Sequence, residues 1–462
     1  MVDHALEQLS GLGCGIRFEQ LPQEIVERTK QCLLDWLGVA IAGSRESVAR
    51  RVAEYVHSEM GPRQASLIGS GARTSTVLAV LANSVAGHAL DYDDVHLAIW
   101  GHPSATVIPA ALALAETQHK SGRDLISAIV AGVEVACRFG EALTEAHYRA
   151  GWHATSTLGV FGSAAAAAHL LGLQENQWVH ALSLAASQAS GLQALFGTDV
   201  KPYQVAKAAS GGVEAALLAA KGLKGRVDVV ECARGFVQMY SGEQAALDQP
   251  DVTKFHVGSV LFKYHASCFG THAAAEATCA LRKTHSLSVD SLKRFEVYIP
   301  PRYLDICNVL EPRTANEAKF SVRFVCALAL AGKRTDAIGV FSEEMLSDPI
   351  VRDLMSKITI MGDGDLPDAG ARVIARVQGP EGLAERSAVA DLGRPESDYH
   401  YQGRRLEEKF FALTCPVIGA LHAKKIVDMV TAVETVDDVS SLFRLPAMQW
   451  SFAAGHSLTS SP

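Results

Sequence analysis

The chain has 462 residues, of which 48% are hydrophobic and 20% are charged, and its formal net charge is −8. This length is enough for two globular domains, and the acidic balance predicts neither nucleic-acid binding nor attachment to an anionic membrane. The nine cysteines contain no CxxC pair, which indicates reduced thiols in a cytoplasmic compartment rather than a disulfide framework or a thiolate zinc site. We also expect no signal peptide and no membrane span.

Helical periodicity dominates the first part of the chain. Apolar residues recur at helical spacing in residues 22–43, 74–90, 103–119, 123–143, 156–171, 177–192, 205–223 and 272–284. Many of these segments are rich in alanine and glycine, and small side chains allow helices to pack closely together.

The pattern becomes mixed after Lys293. Strand-like alternation occupies residues 295–300, 358–361 and 372–377, whereas residues 316–331 and 410–433 are helical and residues 451–462 resemble a mobile tail. We therefore predict a mainly α fold, in which a large all-helical domain carries a smaller inserted α+β lid domain. The predicted boundaries are residues 1–272 with 404–462 for the helical domain and residues 273–403 for the lid.

A dense group of titratable residues ends one of the predicted helices. The group consists of His88, Asp91, Asp93, Asp94, His96 and His102, in a chain otherwise dominated by Ala, Leu, Val and Gly. Histidine titrates near neutral pH and aspartate is rarely buried without a partner, so this density indicates acid–base chemistry. If the preceding helix continues, Asp91 and Asp94 share one of its faces. A polar capping loop is the structural alternative for Asp93, Asp94 and His96.

Three further positions combine an imidazole or an ammonium with a predicted helix start. His102 precedes Pro103, which favours the first helical position, so His102 should be the N-cap beside free backbone N–H groups that attract carboxylates. His153 precedes a very apolar helix, and His272 begins an alanine-rich one; each could instead be a structural histidine. Lys201 is a candidate clamp for an anionic group, and its alternative is an ordinary surface lysine.

Six motifs in series resemble those of the MmgE/PrpD family, whose members include 2-methylcitrate dehydratase, cis-aconitate decarboxylase and iminodisuccinate epimerase. The motifs are His88-Ala-Leu-Asp-Tyr-Asp-Asp-Val-His96, Gly101-His-Pro-Ser-Ala105, Gly151-Trp-His-Ala-Thr155, Val200-Lys-Pro-Tyr203, Cys268-Phe-Gly-Thr-His272 and Glu317-Ala-Lys-Phe-Ser321. They span nearly the whole chain in the order expected for the family.

The resemblance implies a homodimer with a cofactor-free and metal-free active site between a helical domain and a lid. It places the catalytic positions at Asp91, His102, His153, Lys201 and His272. We expect His96, Ser104, Lys201 and Lys319 to bind the substrate.

The resemblance implies a lyase or epimerase that forms a carbanion-like centre beside a carboxylate of a small di- or tricarboxylate. We rank 2-methylcitrate dehydration first and keep cis-aconitate decarboxylation and iminodisuccinate epimerisation open. Val95 stands where the decarboxylase-like pattern often has threonine, which counts against decarboxylation because a hydroxyl that could bind substrate is missing.

Two alternatives belong to other functional classes. The Asp91-x-Asp93-Asp94 cluster with His96 superficially resembles the magnesium-binding motifs of helical prenyl-diphosphate enzymes, but no second acidic motif is evident. The other alternative is a non-catalytic helical scaffold with structural histidines. Scaffolds of the solenoid type show internal repeats, and none is evident here.

Overall fold

A computed structural model describes residues 4–59, 61–242, 254–285, 287–379 and 382–444. The chain divides into two compact units. The helical unit contains Met1–Ala89, His96–Val260 and Asp398–Pro462, and the mixed unit contains Leu90–Val95 and Leu261–Ser397. The structure is mainly helical, as the sequence predicts.

The elements follow one another in chain order. Up to residue 260 they are α1 (Ala5–Gly15), α2 (Gln23–Gly43), α3 (Ser47–Ser58), β1 (Ala65–Ser66), β2 (Arg73–Thr74), α4 (Thr76–His88), α5 (Pro103–Thr117), α6 (Gly122–Arg149), α7 (Ala154–Leu170), α8 (Glu175–Ala186), α9 (Val200–Ala220) and α10 (Phe236–Ser241). The mixed unit continues with α11 (His272–His285), β3 (Leu292–Ile299), α12 (Tyr303–Ile306), α13 (Ala315–Ala318), α14 (Val322–Leu330), α15 (Glu343–Leu346), α16 (Pro349–Lys357), β4 (Ile358–Gly362), β5 (Gly370–Gly379) and β6 (Gly382–Asp391). The chain then returns to the helical unit with α17 (Tyr399–Ile418) and α18 (Ala420–Thr431).

Helix α7 forms the centre of the helical unit. Its residues are buried on every side except at His169, as expected for a helix that is apolar all round. Glycines allow its neighbours to approach, because a Cβ atom at Gly212 of α9 would lie 2.4 Å from the carbonyl oxygen of Val160. Gly162 likewise lies against α6, where its Cβ would be 2.9 Å from the carbonyl oxygen of Gly132. This close packing confirms the interpretation of the small-residue pattern.

The mixed unit contains a four-stranded sheet with the order β4-β3-β5-β6. Strand β3 pairs in parallel with β4 and antiparallel with β5, and β5 pairs antiparallel with β6. Helix α11 packs on β5 and β6. The sequence pattern predicts β3, β4 and β5 but not β6, because that strand is rich in Ala, Glu, Arg and Ser rather than β-branched residues.

Several predicted boundaries require correction. Helix α4 ends at His88, so the expectation that Asp91 and Asp94 share a helical face is wrong. The predicted helix at residues 316–331 is two helices, because Ser321 begins a new one by accepting a hydrogen bond from the N–H of Phe324. The predicted tail at residues 451–462 lies outside the described residues. Among the described helices, none is both long and apolar enough to cross a membrane.

Candidate active site

The functional side chains of the helical unit lie at the ends of its central helices. His102 is the N-cap of α5 with Pro103 behind it, which confirms the prediction from the His-Pro sequence. His153 is the N-cap of α7, and Lys201 is the second residue of α9. His88 is the last residue of α4. The first backbone N–H groups of a helix have no intrahelical acceptor, so helix starts of this kind favour anions.

The imidazole rings of this unit form a cluster. The His88 ring centroid lies 4.8 Å from that of His102 and 6.2 Å from that of His153. His88 is 1% exposed and His153 is 2% exposed, whereas His102 is partly accessible. The backbone N–H of His102 donates to the hydroxyl of Thr155 at 3.1 Å, which ties the start of α5 to the first turn of α7. We call His88, His102 and His153 the histidine cluster.

Phe196 connects the histidine cluster with a buried cation. Its ring centroid lies 4.8 Å from that of His153, and the Nζ atom of Lys201 lies 5.4 Å from the same phenyl ring. That distance suits a cation–π interaction. Lys201 is only 6% exposed, so it is not the solvated surface lysine of the alternative reading. The helical unit thus brings three imidazoles and one ammonium group into a single neighbourhood.

Gly191 supports the position of His153. Its carbonyl oxygen accepts a hydrogen bond of 3.0 Å from the backbone N–H of His153. The φ angle of Gly191 is 134°, and a Cβ atom there would lie 3.1 Å from the Cβ of His153 and 2.7 Å from the side-chain oxygen of Gln204. Only glycine adopts this conformation without strain, so the residue fixes the loop against the N-cap.

His96 has a different environment in the helical unit. Its Nδ1 accepts from the N–H of Ala98 at 3.1 Å, and its Nε2 donates to the carbonyl oxygen of His256 at 3.0 Å. Burial, reinforced by the neighbouring His256, lowers the pKa of His96 to about 3. A neutral imidazole with both nitrogens on backbone groups holds a loop in place, so the assignment of His96 to substrate binding remains a prediction. Ser104 is buried in the first turn of α5.

A buried acid borders this loop. Glu134 of α6 lies 3.4 Å from Arg138 and accepts a hydrogen bond from the backbone N–H of His256. Burial raises the pKa of Glu134 to about 7, although Arg138 and the backbone donors act in the opposite direction. Burial also lowers the pKa of His256 to about 4. His96, Cys137 and His256 could offer metal ligands by proximity alone, but His96 already uses both ring nitrogens.

In the mixed unit, Asp91 is paired with a lysine that the sequence analysis did not identify. The Nζ atom of Lys263 lies 2.7 Å from the carbonyl oxygen and 3.1 Å from the carboxylate of Asp91. The Lys263 side chain is 0% exposed. Asp91 has a φ angle of 51°, a left-handed conformation that aspartate tolerates better than most residues. The sequence did contain one indication that Lys263 is buried, because this lysine directly follows the apolar residues Val260-Leu-Phe.

A second lysine holds the same segment. Lys319 is buried, and its Nζ donates to the carbonyl oxygen of Leu90 at 3.2 Å. The segment is also paired with the chain ahead of Lys263, because Val95 and Leu261 exchange backbone hydrogen bonds of 2.8 Å. The polar sequence around Asp91 is therefore an anchored element of the mixed unit.

His272 begins α11, as predicted, and is 1% exposed. Its Nε2 donates to the carbonyl oxygen of Ser267 at 3.1 Å, which fixes the orientation of the ring. The neighbouring His265 lies edge-on to it at 4.9 Å and bonds to the hydroxyl of Thr335 at 2.7 Å.

Lys263 bears on the metal-dependent alternative. A magnesium site needs open carboxylate and carbonyl oxygens, and at Asp91 an ammonium group already contacts one oxygen of each kind. Asp93 and Asp94 are both buried, and the choice between a catalytic and a capping role for them stays open. The absence of a metal at the acidic cluster remains a prediction.

The side chains of the helical unit define a class of site: imidazoles and an ammonium group at helix ends, suited to proton transfer on an anionic compound. Residues 7–248 match the MmgE/PrpD N-terminal domain and residues 265–435 match the MmgE/PrpD C-terminal domain. The chain belongs to the MmgE/PrpD family and is an enzyme of that type, a lyase or epimerase.

Named relatives agree with this assignment along almost the full length. The chain is 30% identical to human cis-aconitate decarboxylase, with 93% of this chain and 92% of that protein covered. It is 28% identical to the cis-aconitate decarboxylase of Mus musculus, with 96% and 94% covered. A cis-aconitate decarboxylase of Aspergillus terreus is 26% identical, with 92% of each chain covered.

Proposed function

We propose that this enzyme acts, without a cofactor or metal ion, on a small di- or tricarboxylate at a carbon adjacent to a carboxylate. The observation that carries the proposal is the histidine cluster at the helix ends, with the ammonium group of Lys201 beside it. Helix starts and a lysine attract the substrate's carboxylates, and a partly accessible imidazole can give or take a proton.

The three reactions known for the family's named members make related demands on these residues. In dehydration, a base removes a proton beside a carboxylate, and the hydroxyl leaves as water after it receives a proton from an acid. In decarboxylation, the bond to carbon dioxide breaks, its electron pair stays on the remaining carbon, and an acid then protonates that carbon. In epimerisation, a proton leaves one face and another is added to the opposite face. Each reaction passes through negative charge that preorganised cations and N–H donors stabilise.

We propose His102 as the proton-transferring group because it is the accessible member of the cluster. His153 and Lys201 would then bind and orient the carboxylates, Lys201 as a desolvated cation. We also propose catalytic roles for Asp91 and His272 and substrate contacts for Ser104 and Lys319. Lys263 would hold Asp91 in place through its contacts with the carbonyl oxygen and the carboxylate of that residue.

The relatives change the order in which substrates should be tested. Motif comparison ranks 2-methylcitrate first, whereas the named relatives are cis-aconitate decarboxylases over nearly the whole chain. Cis-aconitate is therefore the first substrate to assay, followed by 2-methylcitrate and iminodisuccinate. Val95 provides an internal test, because Val95→Thr restores the hydroxyl of the decarboxylase-like pattern. If that pattern governs selectivity, the variant should gain decarboxylation relative to the other two activities.

The test is turnover of the three acids by chelated protein, followed by mass spectrometry or NMR. We expect one of them to be converted at the same rate before and after exhaustive treatment with EDTA. Turnover that disappears on chelation and returns with a divalent ion would contradict the cofactor-free proposal. Failure to convert any of them would contradict the substrate class.

We further propose a homodimer in the cytoplasm. The family resemblance supports the dimer, and light scattering of the purified protein would test it. All nine cysteines are free thiols, which is typical of a reducing compartment.

A further inference from the structure

The mixed unit contains a groove that none of the proposed catalytic residues lines. Its volume is about 600 Å³, within the usual range for small-molecule sites. Its walls come from the loop before α13 and from helices α14, α15 and α16. Three arginines contribute to these walls, Arg313, Arg323 and Arg352.

Several arginines of this unit are paired with carboxylates. Ion pairs with carboxylates occupy Arg294, Arg302, Arg334, Arg372 and Arg376. Within the described part of the unit, Arg313, Arg323 and Arg352 form no such pair, and neither do Arg282, Arg386 and Arg394, which lie outside the groove. What distinguishes Arg313, Arg323 and Arg352 is that all three line one groove, where they outnumber its two carboxylates, Glu311 and Glu343. This excess of positive charge favours an anionic ligand.

Arg323 provides a second, independent indication. It is the second residue of α14, two positions after the N-cap Ser321, so its guanidinium group adds to the positive end of that helix. Its Nε atom is buried and lacks a hydrogen-bond acceptor within the described part of the chain. A buried donor without an acceptor is costly, and a bound carboxylate or phosphate oxygen would satisfy it.

The remaining lining defines the ligand more closely. Glu311 and Glu343 also face the groove, so the three guanidinium groups outnumber two carboxylates. A guanidinium group can donate two parallel hydrogen bonds to a carboxylate or phosphate group, and the glutamates can accept hydrogen bonds from hydroxyl groups. Leu310, Leu346 and Met355 add an apolar part.

We propose that this groove binds a small hydroxylated anion with carboxylate or phosphate groups, at a site separate from the proposed catalytic residues. The proposal does not rest on the proposed function. Citrate and glucose 6-phosphate serve as probes, because both carry hydroxyl groups while one is a carboxylate and the other a phosphate.

The experiment is isothermal titration of each probe into the full-length His102→Asn variant, so that turnover does not contribute heat. Arg323→Gln and Arg352→Gln are added separately to this background. Arg386→Gln is the matched control, since Arg386 is an exposed arginine on β6 of the same unit, outside the groove. Circular dichroism and melting temperature verify that each variant is folded.

We expect at least one probe to bind, and either groove substitution to weaken that binding by tenfold or more while the control changes it by less than twofold. Arg323→Lys should bind the probe more tightly than Arg323→Gln does, because lysine keeps the positive charge but lacks the paired N–H donors of the guanidinium group. Equal binding in all variants, or no binding of either probe, would contradict the proposal that this groove binds an anion. Either result leaves the turnover test of the proposed function unaffected, because that test measures conversion of other acids by the unmodified protein.

Discussion

Replacement of Lys263 by methionine tests the buried pair that anchors Asp91. Methionine retains most of the side-chain volume but removes the ammonium group, which lies 2.7 Å from the carbonyl oxygen and 3.1 Å from the carboxylate of Asp91. The carboxylate is then left in a nearly water-free environment, since Lys263 is 0% exposed and Asp91 is 6% exposed. Removing one partner of a buried ion pair typically costs about 3–5 kcal/mol.

A loss of that size is readily measured. For large single domains, each 1 kcal/mol lowers the melting temperature by about 2–4 °C, so we expect a decrease of roughly 6–20 °C. Asp91→Asn in the same background should return part of the stability, because it removes the unpaired charge. We also expect kcat to fall at temperatures well below the melting transition, because Asp91 would no longer be held in position.

Lys409 supplies a matched control for this experiment. It forms another buried pair, 2.6 Å from Asp35, in the helical unit. Lys409→Met should therefore reduce the melting temperature by a similar amount and leave kcat unchanged in the folded protein. The reasoning would be refuted if the free energy of unfolding of Lys263→Met lay within about 1 kcal/mol of the wild-type value. Equal losses of kcat in Lys263→Met and Lys409→Met would also refute it.

Three other predictions concern pH and backbone geometry. Because burial raises the pKa of Glu134 to about 7, this group contributes its full stability below about pH 4.5 and loses that contribution as the pH rises through 7. Glu134→Gln should therefore remove a decline of up to about 3 kcal/mol in the free energy of unfolding. An unchanged decline in urea titrations at pH 5 to 8 would contradict this. The pKa values of about 3 for His96 and about 4 for His256 imply the opposite direction, since stability is full above pH 6.5 and is lost on acidification, by about 2 kcal/mol for each histidine at pH 5. Calorimetry should show His96→Gln to be less sensitive to acid than the wild type, and equal sensitivity would count against the buried neutral imidazole. Gly191→Ala should lower kcat by tenfold or more, because the added Cβ would lie 3.1 Å from that of His153; unaltered kcat would show that the loop does not position the imidazole.

The local features of the site could be predicted from the sequence. His102 was placed at a helix start because proline follows it, and His272 because an alanine-rich helix begins there. Both inferences use only adjacent residues. The mainly helical fold followed from periodicity in the same way, with errors where a cap such as Ser321 interrupts the pattern.

Contacts between distant segments could not be predicted. Lys263 is 172 positions from Asp91 in the chain, and no local pattern indicates that pairing. The same applies to the contact of Phe196 with His153 and Lys201. The left-handed conformation of Asp91 was also missed, because the helical pattern before it suggested continuation beyond His88.

The central claim is that the histidine cluster transfers protons beside a carboxylate, and deuterium incorporation tests it most directly. Wild type, His102→Asn and the surface control His57→Asn would each be incubated with the accepted substrate in deuterated water and followed by NMR. We predict deuterium at the carbon next to the carboxylate for the wild type and the control, and a loss of at least a hundredfold in the His102→Asn rate with the fold retained. Undiminished deuterium incorporation in His102→Asn would contradict the account.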